Sequence, residues 1–390
     1  MVVWKRIKDV FETRNGYTPS TKNDSFWTGG IIPWFKMDDI RENGSVLNDS
    51  NLHITKKAIK GKGLFKANSI ILATSATIGE HALITVDHLC NQRFTNFFPQ
   101  KEFEEMVDMK YVYYYMFKVD EWCKQHTHQG GFASVDMEGL YKLLIPVPSL
   151  EEQKRIVGIL DTFTDSIENL KQQIAQRRKQ YEHYRDQLLD LEGKEGVEIK
   201  TLEDVCVIKG EYGLSVSSKP FDGIRYLRIT DITDSGNLND DLVSAVTNDD
   251  VSKEPLVDGD ILFARTGATV GKTLVYRKEF GLCLFAGYLI RYRFNHLFVL
   301  PQYMFHYTHS TKYYKWVKSN IDEGAQPNIN AKKYNGLRFP LPPLSEQQRI
   351  VSILDTFEAS ISNLEAQLEQ RQKQYEYYRN KLLSFEKEEQ

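Results

Sequence analysis

A glycine-rich stretch between two apolar runs comes closest to a catalytic motif in this chain. It reads Gly267-Ala-Thr-Val-Gly271-Lys272-Thr273. Nucleotide-binding P-loops place four residues between their glycines and continue into a helix, whereas here three residues separate the glycines and strand-forming residues follow. We therefore expect a tight hairpin turn, from which Arg265 and Lys272 could still contact phosphate groups.

Two closely spaced histidine pairs, His126 with His128 and His306 with His309, raise the question of a metal ion. Neither pair has an obvious third ligand nearby in the sequence, so hydrogen-bonding or surface histidines are favoured. The four cysteines lie far apart and form no CxxC pair, which is typical of buried free thiols. We predict neither a metal site nor a disulfide.

The segment from His53 to Lys66 is the best candidate for contact with a polyanion. It holds five lysines and no acidic residue in fourteen positions, a pattern that can neutralise phosphates but also suits a solvated loop. The second half of the chain has more scattered cations. The candidates for phosphate contact are Lys56, Lys57, Lys60, Lys62, Lys219, Arg225, Arg228 and Lys272.

Other polar side chains have the chemistry that reads base edges. Arginine matches guanine, and asparagine or glutamine matches adenine, in the major groove. The same residue types also satisfy turns. The candidates for base contact are Asn91, Gln92, Arg93, Gln129, Arg265, Gln326, Asn328 and Asn330.

A near-identical repeat organises these candidates. Residues 146–191 and 340–385 align without a gap at an offset of 194, with about 28 of 46 positions identical. Prolines mark the start of each copy, Ser149 can cap the first, and the body is free of proline. Each copy therefore predicts a long helix, of about 60 Å at 1.5 Å per residue.

Apolar residues in both copies recur at alternating intervals of four and three, the period of a coiled-coil seam. Arg177 and Arg371 interrupt the seam at equivalent positions. The simplest interpretation pairs the two copies with each other; the alternative packs each helix on its own domain. The predicted seam residues are Ile156, Leu160, Phe163, Ile167, Leu170, Ile174, Tyr181, Ile350, Leu354, Phe357, Ile361, Leu364, Leu368 and Tyr375.

Two diverged blocks of similar length alternate with the helices. Both contain short apolar runs broken by Gly, Asn and Asp, and both carry an aromatic, helix-like run, Tyr111–Trp122 and Gln302–Trp316. We predict an α+β fold with two related heads of mixed α/β structure, separated by an antiparallel coiled coil with pseudo-two-fold symmetry. The predicted domains are 1–148 (head 1), 149–195 (helix 1), 196–343 (head 2) and 344–390 (helix 2).

This order resembles the specificity subunits of type I restriction–modification enzymes, over essentially the whole chain. The residues that carry the resemblance are PxPxLxEQxRI at Pro146–Ile156 and Pro340–Ile350, ATIG at Ala76–Gly79, ATVG at Ala268–Gly271, and Asn91-Gln92. The resemblance implies two target recognition domains, each reading one half of a split asymmetric sequence in double-stranded DNA. It also implies two methyltransferase subunits docked on the spacer helices, and restriction subunits that join them.

Catalysis is expected to belong to those partners. The chain has no FxGxG-type loop, no Asn/Asp-Pro-Pro-aromatic motif, no Pro-Asp pair and no true P-loop. S-adenosylmethionine, ATP and Mg are therefore expected in partner subunits, with no cofactor in this chain. A coiled-coil scaffold whose heads bind proteins or other ligands is the alternative, and a P-loop NTPase ranks third.

The net charge of −3 does not by itself indicate a nucleic-acid binder. No stretch approaches the ~18–20 apolar residues of a membrane span, and the first residues lack the apolar run of a signal peptide. We expect a cytoplasmic protein that does not contact a membrane.

Overall fold

The computed structural model describes residues 2–128, 133–245, 255–322 and 326–386. It contains two compact units: unit 1 comprises Met1–Asn169 with Leu368–Gln390, and unit 2 comprises Leu170–Gln367. Two long helices follow the repeats: spacer helix 1, Leu150–Leu189, and spacer helix 2, Leu344–Leu382. Each helix contributes one part to each unit, since the chain passes between the units at Asn169–Leu170 in helix 1 and at Gln367–Leu368 in helix 2.

Unit 1 is built around two small sheets. The first has five strands in the order Phe11–Asn15, Phe94–Pro99, Ser69–Ala73, His81–Ile84 and Val46–Leu47. The second has three, in the order His53–Ile54, Ile32–Phe35 and Leu89–Cys90. Two antiparallel pairs complete the strands: Val3–Arg6 with Leu144–Val147, and Thr127–His128 with Ser134–Val135.

The helices of unit 1 cover the five-stranded sheet. Besides the halves of the spacer helices, they are Ile7–Val10, Met37–Asn43, Met109–Gln125 and Met137–Lys142, with 3-10 turns at Asp24–Phe26 and Lys56–Ala58. The longest contains the predicted aromatic run, and Asp108 caps it by accepting from the N–H groups of Lys110 and Tyr111.

Unit 2 repeats this plan with a four-stranded main sheet. Its four-stranded sheet has the order Cys206–Tyr212, Leu289–Phe294, Ile261–Ala264 and Thr273–Val275. The remaining pairs are Ser218–Pro220 with Val243–Ala245, Arg225–Leu227 with Cys283–Phe285, and Glu198–Thr201 with Arg338–Leu341. The 3-10 turns are Glu203–Val205, Ile229–Asp231, Gly267–Thr269 and Lys278–Phe280.

The second aromatic run differs from the prediction of one helix, because it divides into Pro301–Thr308 and Thr311–Asn320. Ser310 lies between them in extended conformation and its hydroxyl accepts from the N–H of Tyr313, which starts a new helix. The helix Ala331–Asn335 then precedes the last strand.

The spacer helices run antiparallel where they meet within each unit. In unit 1, Phe163 stacks on Tyr378; in unit 2, Tyr184 stacks on Phe357, which is the same pair with the helices exchanged. The guanidiniums of Arg371 and Arg177 lie over the Phe163 and Phe357 rings respectively. The predicted seam residues listed by number above are buried or half-buried. Four of them, Ile156, Leu160, Ile350 and Leu354, are buried in the cores of the two units, so packing against a domain, the alternative to the seam, applies to these parts of the helices.

Helix 1 ends earlier than its predicted limit of 195, since Leu189 is its last residue and Gly193 follows with φ of 76°. At its start, the N–H of Glu152 donates to the Ser149 hydroxyl at 3.4 Å. The four cysteines are buried and free, as predicted. Among the described residues, no helix has both the length and the apolar character needed to cross a membrane.

Candidate nucleic-acid interface

The lysine-rich segment of unit 1 is an anchored loop. Ala58 and Phe65 are buried at its two ends, while Lys56, Lys57, Lys60 and Lys62 are exposed. Among the described residues, no carboxylate forms an ion pair with any of these four lysines. Of the five lysines in the segment, Lys66 alone pairs with an acid among the described residues, Glu104 at 3.6 Å. The loop therefore presents four uncompensated positive charges on a fixed backbone.

Two aromatic contacts hold this lysine loop (residues 56–62) in place. The Tyr17 hydroxyl donates to the carbonyl of Ala58 at 3.0 Å and accepts from the N–H of Lys60 at 2.9 Å. Arg14 donates to the carbonyl of Gly63 at 2.8 Å and lies over the Phe65 ring at 4.0 Å. Burial lowers the pKa of Arg14 from its ordinary value.

The segment that anchors the lysine loop also contacts the turn at residues 91–93. The N–H of Tyr17 donates to the carbonyl of Cys90 at 2.8 Å, and the Thr18 hydroxyl donates to the side-chain oxygen of Gln92 at 2.5 Å. A Cβ at Gly16 would overlap the carbonyl oxygens of Cys90 and Asn91, so only glycine allows this approach. The fold thus brings a phosphate candidate and base candidates onto one surface.

Within this turn the three base candidates differ in their freedom. The Asn91 side chain accepts from the N–H of Arg93, so it shapes the turn. Gln92 is exposed but engaged with Thr18. Arg93 is exposed, and its side chain has no hydrogen bond or ion pair with any described residue. Gln129 lies outside the described residues.

In unit 2 the base candidates also gather around one loop. Arg265 donates to the side-chain oxygen of Asn328 at 3.3 Å and lies over the Tyr212 ring at 4.9 Å. Gln326 is exposed, two residues before Asn328. Asn330 caps a helix by accepting from the N–H of Lys333, so its oxygen is used structurally. Arg265, Gln326 and Asn328 remain grouped at this surface.

The phosphate candidates of unit 2 are engaged within the protein. Arg228 pairs with the fully buried Asp231 at 2.7 Å, and Arg225 donates to the backbone carbonyls of Asn239 and Asp241. Lys219 pairs with Asp222 at 2.5 Å.

Lys272 pairs with Asp234 at 2.7 Å. The hydrogen bonds from Lys272 and Lys219 lower the pKa values of Asp234 and Asp222 below the ordinary range. These cations are placed at the surface, but each already has a carboxylate or carbonyl partner.

The glycine-rich segment forms the predicted hairpin. Antiparallel strands Ile261–Ala264 and Thr273–Val275 flank a single 3-10 turn, Gly267–Thr269, and no helix begins after it. The geometry is unlike that of a P-loop, whose phosphate cradle leads into a helix N-terminus.

The histidines of the two pairs lie in different surroundings. His126 stacks on Trp122 and His309 is buried against Phe305. His306, Asp355 and Glu358 form the one ligand set close enough for a metal among the described residues. Nε2 of His306 lies 2.9 Å from Asp355, and Nδ1 lies 3.0 Å from the Tyr181 hydroxyl, which donates to Glu358. These groups satisfy one another, as a hydrogen-bond network does.

Sequence reasoning missed the residues that build the interface. Tyr17 and Thr18 connect the lysine loop to the turn, and Tyr212 and Tyr288 occupy the corresponding surface of unit 2, where Tyr288 is 59% exposed. The sequence signal that could have located these residues is a glycine directly after the first long strand of each head, Gly16 and Gly213. In both cases a Cβ would overlap loop carbonyl oxygens.

Each unit therefore presents a loop surface with basic or polar side chains and contains a part of both long helices. A family model, the type I restriction modification DNA specificity domain, matches residues 1–177 and again residues 194–372. The chain belongs to this family and contains the domain twice. The resemblance inferred from the sequence is confirmed.

Individual relatives agree with the family. The chain is 45% identical over 230 residues to the Type I restriction enzyme EcoprrI specificity subunit of Escherichia coli, covering 55% of this chain and little more than half, 56%, of that relative. It is 31% identical over 414 aligned residues to the putative type I restriction enzyme specificity subunit S.HindORF215P of Haemophilus influenzae, covering 98% of this chain and 96% of the relative.

A solved structure supports the fold. It comes from work on the structural basis underlying complex assembly and conformational transition of the type I R-M system. It superposes with a TM-score of 0.63 at 19% identity, over 98% of this chain and 96% of that one. This likeness confirms the predicted fold class, two mixed α/β units with long helices.

Proposed function

We propose that this chain is the DNA-reading specificity subunit of a type I restriction–modification complex, and that its two heads recognise the two unlike halves of a split target. The observation that carries the proposal is the duplicated specificity domain, which has a nearly unchanged helix in each copy and diverged loop residues in each head. One head reads few base pairs, so two heads on a common stem extend the target.

The surface of unit 1 supports the DNA assignment. Four exposed lysines without acidic partners can neutralise phosphates, which fixes a protein on duplex DNA without reading its sequence. Arg93 is exposed on the turn that Tyr17 and Thr18 connect to the lysine loop, and arginine is the side chain that most often reads guanine. Phosphate contact and base contact then come from adjacent segments.

Partner subunits supply the chemistry in this proposal. Two methyltransferase subunits dock on the spacer helices, one for each copy of the repeat, and restriction subunits join them. The chain is non-catalytic by itself, and S-adenosylmethionine, ATP and Mg bind to the partners. This function places the chain in the cytoplasm together with its DNA.

The proposal is tested by co-expressing the chain with its methyltransferase subunit in a host without related methylation, and sequencing the methylome. We expect one bipartite asymmetric motif that requires both proteins. Exchanging residues 1–148 for the head of another family member should change one half of the motif and preserve the other.

Methylation that does not depend on this chain would contradict the proposal. A coiled-coil scaffold with protein-binding heads is the remaining candidate, favoured by the 40-residue spacer helix 1. It predicts no salt-dependent binding of duplex DNA, whether or not the methyltransferase subunit is present.

A further inference from the structure

The two heads share one turn that the sequences alone do not reveal. In unit 1 the N–H of Tyr17 donates to the carbonyl of Cys90, and in unit 2 the N–H of Leu214 donates to the carbonyl of Phe285, both at 2.8 Å. The preceding glycines, Gly16 and Gly213, both leave no space for a Cβ against these carbonyls. The turns that follow Cys90 and Phe285 are therefore equivalent.

Further hydrogen bonds fix the equivalence residue by residue. The N–H of Phe94 donates to the carbonyl of Asn91 at 3.2 Å, as the N–H of Leu289 does to Ala286 at 2.8 Å. Asn91-Gln92-Arg93-Phe94 thus corresponds to Ala286-Gly287-Tyr288-Leu289, although the two segments share no residue.

The third position of each turn is tied to the strand beside it. The N–H of Thr74 donates to the carbonyl of Arg93 at 2.9 Å, and the N–H of Arg265 donates to the carbonyl of Tyr288 at 3.0 Å. Backbone contacts thus hold both positions firmly. Arg93 and Tyr288 are both exposed, and neither side chain bonds or stacks with a described residue.

Arginine and tyrosine are enriched among the residues that dominate binding interfaces, and here both stand exposed on a fixed backbone without a partner among the described residues. Both lie beside base candidates: Arg93 beside Gln92, and Tyr288 beside Arg265, whose N–H it binds. We infer that Arg93 and Tyr288 are equivalent specificity-determining residues, and that their difference helps to make the two half-sites unlike. The inference rests on the proposed function.

The two side chains suit different bases. The guanidinium of Arg93 can donate two hydrogen bonds to O6 and N7 of guanine. Tyr288 cannot form that fork, and its ring offers the apolar contact that the methyl group of thymine takes. Arg93 therefore specifies a guanine in one half-site, and Tyr288 a thymine in the other.

The test exchanges the two residues, in the full chain co-expressed with the methyltransferase subunit. Arg93→Tyr should lower the preference for guanine at one position of one half-site by at least about tenfold, and Tyr288→Arg should do the same for thymine in the other half-site, since each good base contact discriminates by a factor of this order. Arg93→Lys should retain part of the preference. Lys101→Tyr, which also replaces an exposed cation of unit 1 by a ring, should leave the motif unchanged.

Methylome sequencing measures the base preference of each variant. For a variant that directs no methylation, the preference is measured as its affinity for duplexes that carry each of the four bases at the affected position. An unchanged base preference in both variants, or a uniform loss over all four bases, would overturn the inference. If the unaltered chain directs no bipartite methylation, the proposed function itself fails.

Discussion

The two units carry their positive charges in opposite ways. In unit 1 four lysines of one loop are exposed without an acidic partner, whereas in unit 2 Lys219, Arg228 and Lys272 each pair with an aspartate. A free lysine releases counterions when it meets a phosphate, but a paired cation must first lose its partner. Under the proposed function, we therefore expect the four lysines of unit 1 to contribute more sequence-independent affinity than Lys219, Arg228 and Lys272 of unit 2.

The largest expected effect comes from removing the free charges. Replacing Lys56, Lys57, Lys60 and Lys62 by Ala should weaken duplex binding by the assembled complex roughly a thousandfold at 0.1 M salt and reduce the slope of log K against log salt by about 3–4. The bases recognised should not change. Substituting Arg at the same four positions is the control and should preserve the slope. A shifted motif with an unchanged slope would show that the loop reads bases.

Removing Arg228 of unit 2 should lower the stability of the protein more than its affinity for DNA. Arg228→Ala leaves the carboxylate of Asp231, which is 0% exposed, without its charged partner, with only the N–H of residue 228 and the Thr230 hydroxyl still donating to it. We expect the free energy of unfolding to fall by about 3 kcal/mol, since an uncompensated buried charge is costly.

Urea unfolding measures this loss. Lys219→Ala is the matched control, because its partner Asp222 is half-exposed and should tolerate the loss with little change. Equal destabilisation by the two substitutions would contradict the distinction between them.

A smaller effect is expected from the loop anchor. Tyr17→Phe removes the hydrogen bonds to the backbone of Ala58 and Lys60, so the lysine loop should lose order. Binding should weaken about five- to tenfold, the equivalent of one or two net hydrogen bonds. Tyr141→Phe is the control, since its hydroxyl contacts Thr13 instead. If both variants bind like the unaltered protein, the order of the loop does not matter for binding.

The smallest expected effect comes from releasing one paired cation of unit 2, which tests whether pairing is what distinguishes its cations from the free lysines of unit 1. Asp234→Asn should release Lys272 from its ion pair, and binding should then strengthen a few-fold, with a slope steeper by about 0.9. Lys272→Ala should change the affinity by no more than about twofold and leave the salt slope nearly unchanged, because a lysine already paired at the surface contributes little. Titrations at several salt concentrations measure both. A large loss on Lys272→Ala would place this lysine on a phosphate in spite of Asp234.

The sequence predicted most of the stem and little of the heads. Prolines at the start of each repeat and the alternating four-three spacing predicted where each long helix begins to within one residue, at Leu150 and Leu344. The helices end at Leu189 and Leu382, before the predicted limits of 195 and 390. The hairpin at Gly267–Thr269 followed from a missing helix signal. In the heads, contacts distant in sequence decide the outcome: Tyr17 anchors a loop about 40 residues away, and Lys272 meets Asp234.

Part of the site was nevertheless visible in the sequence. Arg228 and Lys219 each have an aspartate three residues later, Asp231 and Asp222, a spacing that favours local ion pairs. The correspondence of Arg93 with Tyr288 was not visible, because it rests on backbone hydrogen bonds between segments with no residue in common.

Unit 1 combines the first part of the chain with its last residues, and this affects how the unit folds during synthesis. Its core includes Ile156 and Leu160 from helix 1, but also Leu382 and Leu383 from the end of helix 2, and Lys118 binds the carbonyl of Leu383 at 3.0 Å. All of Leu170–Gln367 is translated between these parts. At a translation rate of about 5–20 residues per second, roughly 10–40 s pass between synthesis of the first head and synthesis of the helix end that completes its core. During that interval the first head lacks the packing of Leu382 and Leu383, and a premature stop near residue 368 removes that packing permanently.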